Sequence, residues 1–217
     1  MERITFLSHV LQESTPTYGN KGRIALRPVR RMTKGDVCNE MHWSLGNHSG
    51  THVDAPFHFV RKGPTLDQYA PLDWVFARVA LVDVPSCAAG GMIMPEVLGR
   101  LRRDTDLLLL RTGFERFRGR TAYWKDAPGV HPDMAAALKE KCPGIRALGM
   151  DIISVSSSRE RELGRAAHRA FLGRGILLVE DMKLSGLKRA PRQVVVAPVN
   201  VKGADAAPCT VFAWERP

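Results

Sequence analysis

Short apolar runs bounded by turn-forming residues dominate the hydrophobic pattern of this chain. Runs of consecutive apolar residues of this length are typical of strands buried within a sheet. Five runs predict such strands: Val79 to Val84, Leu107 to Leu110, Ala147 to Met150, Ile176 to Val179 and Val194 to Ala197.

Helical periodicity appears between some of these strands. One helix is predicted to begin at His131-Pro132, since proline suits the first helical position, and to end before Pro143. A second is predicted to begin near Ser157, which with Glu160 forms a Ser-x-x-Glu capping box. Strands and helices therefore mix without a repeat or a linker, which predicts one α/β domain over residues 1–217.

Composition and charge narrow the class of protein. The 217 residues are 44% hydrophobic and 25% charged, as in ordinary soluble domains. No apolar stretch is long enough for a membrane span and the N-terminus lacks a signal-peptide core, so the predicted location is the cytoplasm. The net charge of +10 comes mostly from arginines interleaved with acids. Because no nucleic-acid motif accompanies them, nucleic acid is not a predicted partner.

Cysteine usage argues against thiolate chemistry. The four cysteines show no Cys-x-x-Cys spacing, so neither a zinc-thiolate site nor a disulfide framework is indicated. They are Cys38, Cys87, Cys142 and Cys209, and we expect them to be reduced and mostly buried.

The most informative stretch runs from Asn47 to Phe59. Three of the seven histidines of the chain, His48, His52 and His58, lie within it together with Asp54. Glycine and proline within the stretch argue against a continuous helix, so a looped backbone is predicted to turn these side chains toward one point. Imidazole and carboxylate ligands suit zinc, manganese, iron or cobalt.

Simpler roles exist for each of these residues. A lone histidine is usually just hydrogen-bonded or exposed, and Asp54-Ala55-Pro56 is compatible with an Asx turn. Ser49 beside His48 suggests a serine nucleophile, but no Gly-x-Ser-x-Gly elbow surrounds it. Clustering of three histidines with an aspartate favours the metal interpretation over these alternatives.

The motif Gly50-Thr51-His52-Val53-Asp54-Ala55-Pro56-Phe57-His58-Phe59 resembles the signature of the cyclase family, which includes bacterial kynurenine formamidases and isatin hydrolases. Further similarity lies in Leu7 to Leu11, in Arg111 to Phe114 and in Gly149 to Ser154. The resemblance implies a single α/β domain of the swivelling β/β/α type, assembled as a homodimer or homotetramer.

The same resemblance implies which residues form the site. A bound pair of divalent ions, most simply zinc with manganese as the alternative, would be bridged by Asp54. The implied ligands are His48, His52, Asp54, His168 and Glu180. His58 matches the family's catalytic histidine, which would act as acid and base while the metal activates a water.

The implied reaction is hydrolysis of an amide, formamide or lactam C–N bond in a small, aromatic substrate. Tyr18 occupies the position where formamidase members commonly carry a substrate-stacking tryptophan, so it is predicted to bind the substrate. Because tyrosine replaces tryptophan here, the identity of the substrate stays open. Two alternatives remain: a metal-bearing binding protein without catalysis on the same scaffold, and a metal-dependent lyase or cyclising enzyme.

Overall fold

The computed structural model describes residues 3–84 and 89–215, and Cys87 lies outside this range. Within it the chain folds as a mixed α/β domain, as predicted. The described residues form thirteen strands: β1 (Ile4–Phe6), β2 (Ala25–Arg30), β3 (Glu40–Ser44), β4 (His52–Asp54), β5 (Val75–Phe76), β6 (Val79–Asp83), β7 (Met92–Ile93), β8 (Leu107–Arg111), β9 (Gly129–Val130), β10 (Ala147–Met150), β11 (Leu177–Glu180), β12 (Gln193–Pro198) and β13 (Ala206–Trp214).

Nine of these strands build one sheet in the order β5-β12-β13-β4-β11-β10-β8-β6, with β1 also paired to β13. The strands β6, β8, β10 and β11 run parallel to one another, whereas β4 is antiparallel to both β11 and β13. The short strand β4 therefore joins a parallel half to an antiparallel half. Strands β2 and β3 form a separate hairpin, and β7 pairs with β9.

Three α-helices accompany the strands in the described residues: α1 (Thr121–Lys125), α2 (Asp133–Lys141) and α3 (Arg161–Leu172). Helices α2 and α3 supply Met134, Leu138 and Phe171 to an apolar cluster on one face of the sheet. A second apolar cluster covers the other face. Within β8, Leu108 and Leu110 belong to the first cluster and Leu107 and Leu109 to the second.

This burial on both faces explains the consecutive leucines of β8. Successive side chains of a strand point to opposite faces, so a strand covered on both sides needs apolar residues at every position. The five predicted strands are all present, with ends that differ by one residue at most.

The predicted capping box of α3 is wrong. The helix begins at Arg161, and the hydroxyl of the fully buried Ser157 donates a hydrogen bond of 2.7 Å to the carbonyl of Gly90. Ser157 is thus used to attach the preceding loop to a neighbouring segment, and Glu160 takes the N-cap position without a side-chain cap.

The cysteines and the lengths of the helices can be compared with the sequence-based predictions. Cys38 is exposed, Cys142 and Cys209 are buried, and all three are free thiols. Among the helices of residues 3–84 and 89–215, none is long and apolar enough to cross a membrane.

Candidate metal centre

The candidate site begins at the junction strand β4. His52 and Asp54 stand two residues apart on this strand, so their side chains point to the same face. On the adjacent strand β11, Glu180 lies directly opposite His52 in the antiparallel register. The looped backbone predicted for this stretch is therefore only partly right, because strand pairing, and not a loop, aligns these three side chains.

Helix α3 contributes His168 from above that face. Its Nε2 lies 3.7 Å from Oδ2 of Asp54 and 3.8 Å from Oε1 of Glu180. This approach depends on Gly164, since a Cβ built there would lie 2.4 Å from the Ser156 hydroxyl and 2.9 Å from the Ser156 Cα. The absence of a side chain at Gly164 thus lets α3 pack closely against the loop that contains Ser156.

His48 and His58 enter from the two ends of β4. His48 lies in the turn before the strand, with Nδ1 3.0 Å from Oδ1 of Asp54. His58 ends a short 3-10 turn after the strand, and its ring centroid lies 4.2 Å from that of His48 and 5.6 Å from that of His168. All six residues predicted from the sequence motif and its resemblance therefore meet in one place.

Asp54 lies at the centre of two sets of ligand atoms. Its Oδ1 faces His48 Nδ1 at 3.0 Å and His52 Nε2 at 3.5 Å, while its Oδ2 faces His168. Each oxygen of this carboxylate thus belongs to a different group of candidate ligands.

The carboxylate of Asp54 is also unsatisfied. Both oxygens are buried and accept no well-formed hydrogen bond from any residue in the described part of the chain. A buried carboxylate without hydrogen bonds is costly unless a cation compensates it. Nitrogen and oxygen donors around such a group fit a divalent transition metal.

The ring orientations of His52 and His168 agree with a role as metal ligands. Nδ1 of His52 donates to the carbonyl of Gly50 at 2.8 Å, and Nδ1 of His168 donates to the carbonyl of Gly164 at 3.0 Å. Since a carbonyl can only accept, Nδ1 carries the hydrogen in both rings. The Nε2 atoms, which face the carboxylates, therefore carry the lone pair. Metal-binding histidines commonly present one nitrogen to the ion while an acceptor holds the other.

Asp205 supplies the equivalent acceptor for the other two histidines. One oxygen of this carboxylate, Oδ2, accepts from His48 Nε2 at 3.0 Å and from His58 Nδ1 at 2.8 Å. The other oxygen accepts from Asn47 Nδ2 at 2.5 Å. Sequence reasoning missed Asp205, because it lies 147 residues from His58 and no local motif marks it.

Electrostatics favour an ionised acid at the floor of the site. Burial lowers the pKa of His52, but its contact with Glu180 and the charges of Asp54 and Glu180 outweigh burial and raise the pKa to about 9. Burial also disfavours the charged form of Asp54, yet contact with His48 and the charges of the neighbouring histidines hold its pKa well below the usual range. At His58 burial dominates and lowers the pKa.

Glu180 is held by the loop that follows β10. Its Oε1 accepts from the backbone N–H of Val155 at 2.6 Å and from the Ser154 hydroxyl at 3.3 Å. The next residue, Asp181, has a positive φ of 52° and accepts hydrogen bonds from Arg118 and Tyr123. The side chain of Glu180 is only 3% exposed, so it faces the interior of the site and not the solvent.

The cluster forms the floor of a cavity of about 370 Å³. Tyr18, 42% exposed, lines the same cavity, as the prediction for this residue requires. Lys21, Arg161 and Arg165 also line it, and none of them was singled out from the sequence. Of the remaining histidines, His42 is exposed on β3 and His131 precedes α2.

The fold and the cluster together define a single α/β domain with a candidate divalent-metal centre. Comparison with known proteins then places the chain: the sequence model of the Cyclase family matches residues 5–157. The chain belongs to the Cyclase family, as the motif around β4 predicts.

Relatives with assigned names are similar over most of their length. A kynurenine formamidase of Salinibacter ruber is 31% identical over 176 residues, which are 80% of this chain and 78% of the relative. A kynurenine formamidase of Bacillus cereus is 31% identical over 166 residues, 76% of this chain and 75% of the relative. Cyclase-like protein 1 of Arabidopsis thaliana is 30% identical over 218 residues, 95% of this chain and 82% of the relative.

Solved structures confirm the predicted fold. Isatin hydrolase A from Labrenzia aggregata, bound to benzyl benzoate, has a TM-score of 0.85 at 22% identity and covers 100% of this chain and 94% of its own. An isatin hydrolase bound to the product analogue thioisatinate also has a TM-score of 0.85, at 18% identity, over 100% of this chain and 93% of its own.

Proposed function

We propose that this protein is a metal-dependent hydrolase that opens an amide, formamide or lactam C–N bond in a small aromatic substrate. The observation that carries the proposal is the buried Asp54, whose two unsatisfied oxygens face separate groups of nitrogen and oxygen ligands beside an open cavity. Relatives named kynurenine formamidase, which are 31% identical to this chain over 176 and 166 aligned residues, support the type of bond.

The metal would be held by five residues, and Asp54 is suited to bridge two ions. The proposed ligands are His48, His52, Asp54, His168 and Glu180. Divalent ions at such a site lower the pKa of a water and polarise a carbonyl, and zinc suits these ligands best, with manganese as the alternative.

His58 is proposed to move the proton. Its Nδ1 donates to Asp205, so Nε2 carries the lone pair that takes a proton. Its side chain is 25% exposed at the cavity wall, so a substrate can reach it. Taking a proton during water attack and returning it to the leaving nitrogen would make His58 both general base and general acid.

Tyr18 is proposed to hold the substrate. Its ring lies at the mouth of the cavity that contains the histidine cluster, where an aromatic face can stack on an aryl group and the hydroxyl can form a hydrogen bond. An aromatic substrate held there would be oriented with its amide toward Asp54 and His58.

Metal analysis combined with a substrate screen tests the proposal. Natively purified protein should contain transition metal and should hydrolyse members of a panel of aryl formamides and lactams. The Asp54→Ala variant should lose most of the metal and the activity, whereas Asp104→Ala, which removes an exposed aspartate paired with Arg102, should lose neither. Full metal content in Asp54→Ala would overturn the ligand assignment.

We further propose that the chain acts as one domain in a homodimer or homotetramer, in the cytoplasm. The hairpin β2–β3 and the first strand expose large apolar side chains on both sides of a groove of about 880 Å³, among them Phe6, Met41 and Trp43. A second copy of the chain would cover them. Light scattering of the native protein should give twice or four times the mass of 24.1 kDa, and Trp43→Arg should reduce it.

A further inference from the structure

Three cationic side chains line the mouth of the candidate active-site cavity. Arg161 and Arg165 lie one turn apart on α3, on the helix face that also carries His168. Lys21 reaches the same cavity from the segment that carries Tyr18. The cavity therefore has acidic side chains at its floor and positively charged side chains at its mouth.

These guanidinium groups are available to a ligand. Among the residues that the structure describes, Arg161 forms no ion pair. Arg165 pairs only with Glu162 of the same helix at 2.6 Å, where the two side chains are 57% and 80% exposed. Exposed pairs of this kind contribute about 0 to 1 kcal/mol, so a ligand can displace Glu162 easily.

Both arginines also lie close to the proposed substrate-binding tyrosine. Burial raises the pKa of Tyr18, and the positive charges of Arg161 and Arg165 partly oppose that rise. A molecule that stacks on Tyr18 therefore lies within reach of both charges. Metal ions bound to Asp54 and Glu180 would make the cavity more positive still.

We propose that Arg161 and Arg165 form a subsite for a carboxylate on the substrate, a step that rests on the proposed hydrolase function. Guanidinium groups bind carboxylates through two parallel hydrogen bonds, and paired arginines at one mouth suit such a group better than a neutral one. The substrate class is then an aromatic amide bearing a carboxylate, with its scissile carbonyl at the histidine cluster and its anionic group at α3.

A matched pair of probes tests this subsite. N-formylanthranilate carries a carboxylate beside an aryl formamide, and N-formylanthranilamide replaces it with a neutral amide of similar size. The wild-type protein should prefer the anionic probe in kcat/KM. In Arg161→Gln/Arg165→Gln this preference should fall about fivefold, since exposed ionic contacts are worth about 1 kcal/mol in total.

Arg169→Gln is the control for charge alone. Arg169 is an exposed arginine on the same helix that does not line the cavity, so its removal takes away one of the two positive charges that the double variant loses but should leave the preference intact. An unchanged preference in the double variant, or an equal loss in Arg169→Gln, would overturn the subsite.

A binding measurement separates this inference from the proposed reaction. If the wild-type protein hydrolyses neither probe nor any member of the amide panel, the hydrolase proposal fails. Fluorescence titration with anthranilate and anthranilamide then tests the subsite directly. Preference for anthranilate should be several-fold in the wild type and lost in the double variant at unchanged metal content. Preference that persists in the double variant would show that the carboxylate binds elsewhere.

Discussion

Replacing Asp205 with asparagine should impair the site without removing any proposed metal ligand. A single oxygen of Asp205 accepts from both His48 Nε2 and His58 Nδ1, and its other oxygen accepts from Asn47. An asparagine has one acceptor oxygen and one NH₂ group. If the oxygen of the new asparagine faces the histidines, its NH₂ group is placed against the NH₂ group of Asn47, and two donors meet. If the new amide is turned the other way, both histidines lose their acceptor.

The size of the effect follows from what the carboxylate does. It holds His48 with Nδ1 toward Asp54, and it holds His58 with its hydrogen on Nδ1. Loss of such outer contacts to ligands typically costs about 10- to 100-fold in metal affinity or activity. Asp205 is about one-third exposed, so water can replace part of the contact and the lower half of this range is expected.

Two assays separate the two histidines. A weaker metal affinity in Asp205→Asn, measured by competition with a chelator, would report on His48. A lower kcat at saturating metal would report on His58. Asp67→Asn is the matched control, because Asp67 accepts from the backbone of Gly203 in the same loop and contacts neither histidine. Activity and affinity within twofold of the wild type in Asp205→Asn would refute the positioning role.

Four further outcomes are expected. His58→Ala should lose about 10² to 10⁴ in kcat, most for poor leaving groups, at unchanged metal content; a loss of metal would instead make His58 a ligand. Tyr18→Ala should lower kcat/KM for aromatic substrates several-fold, as lost stacking is worth about 0.5 to 1.5 kcal/mol, and unchanged kinetics would remove Tyr18 from the site. Gly164→Ala should destabilise the fold by about 1 to 3 kcal/mol despite alanine's helix propensity, because Ser156 blocks the new Cβ; thermal melting checks this, and a raised Tm would contradict it. Chelation should lower the Tm by roughly 8 to 16 °C relative to protein in a free metal concentration of about 1,000 times the Kd. An unchanged Tm would argue against a buried metal.

The β4 motif shows how much of a site a local sequence can predict. His48, His52, Asp54 and His58 lie within one short stretch, so any fold of that stretch keeps them near one another. Family resemblance then linked this stretch to His168 and Glu180, and the structure brings all six together. The consecutive leucines of β8 likewise predicted a strand buried on both faces of a sheet.

Other parts of the site follow only from the tertiary structure. Asp205 meets His48 and His58 because β13 pairs with β4, a contact between segments far apart in the chain. Ser157, which the local pattern assigned to a helix cap, instead anchors a loop to Gly90. Arg161 resembles any solvated helix charge until α3 is seen to place it at the cavity mouth.

The physical reason for the division is the range over which each interaction acts. Apolar period, turn residues and clustered ligands depend on neighbours within a few residues. The sequence alone therefore determined five of the strands, the α/β class and the residues at the core of the candidate metal site. Register between distant strands and the descent of α3 over the sheet depend on packing across the whole chain. Only that packing decided which carboxylate holds the histidines and which charges surround the cavity.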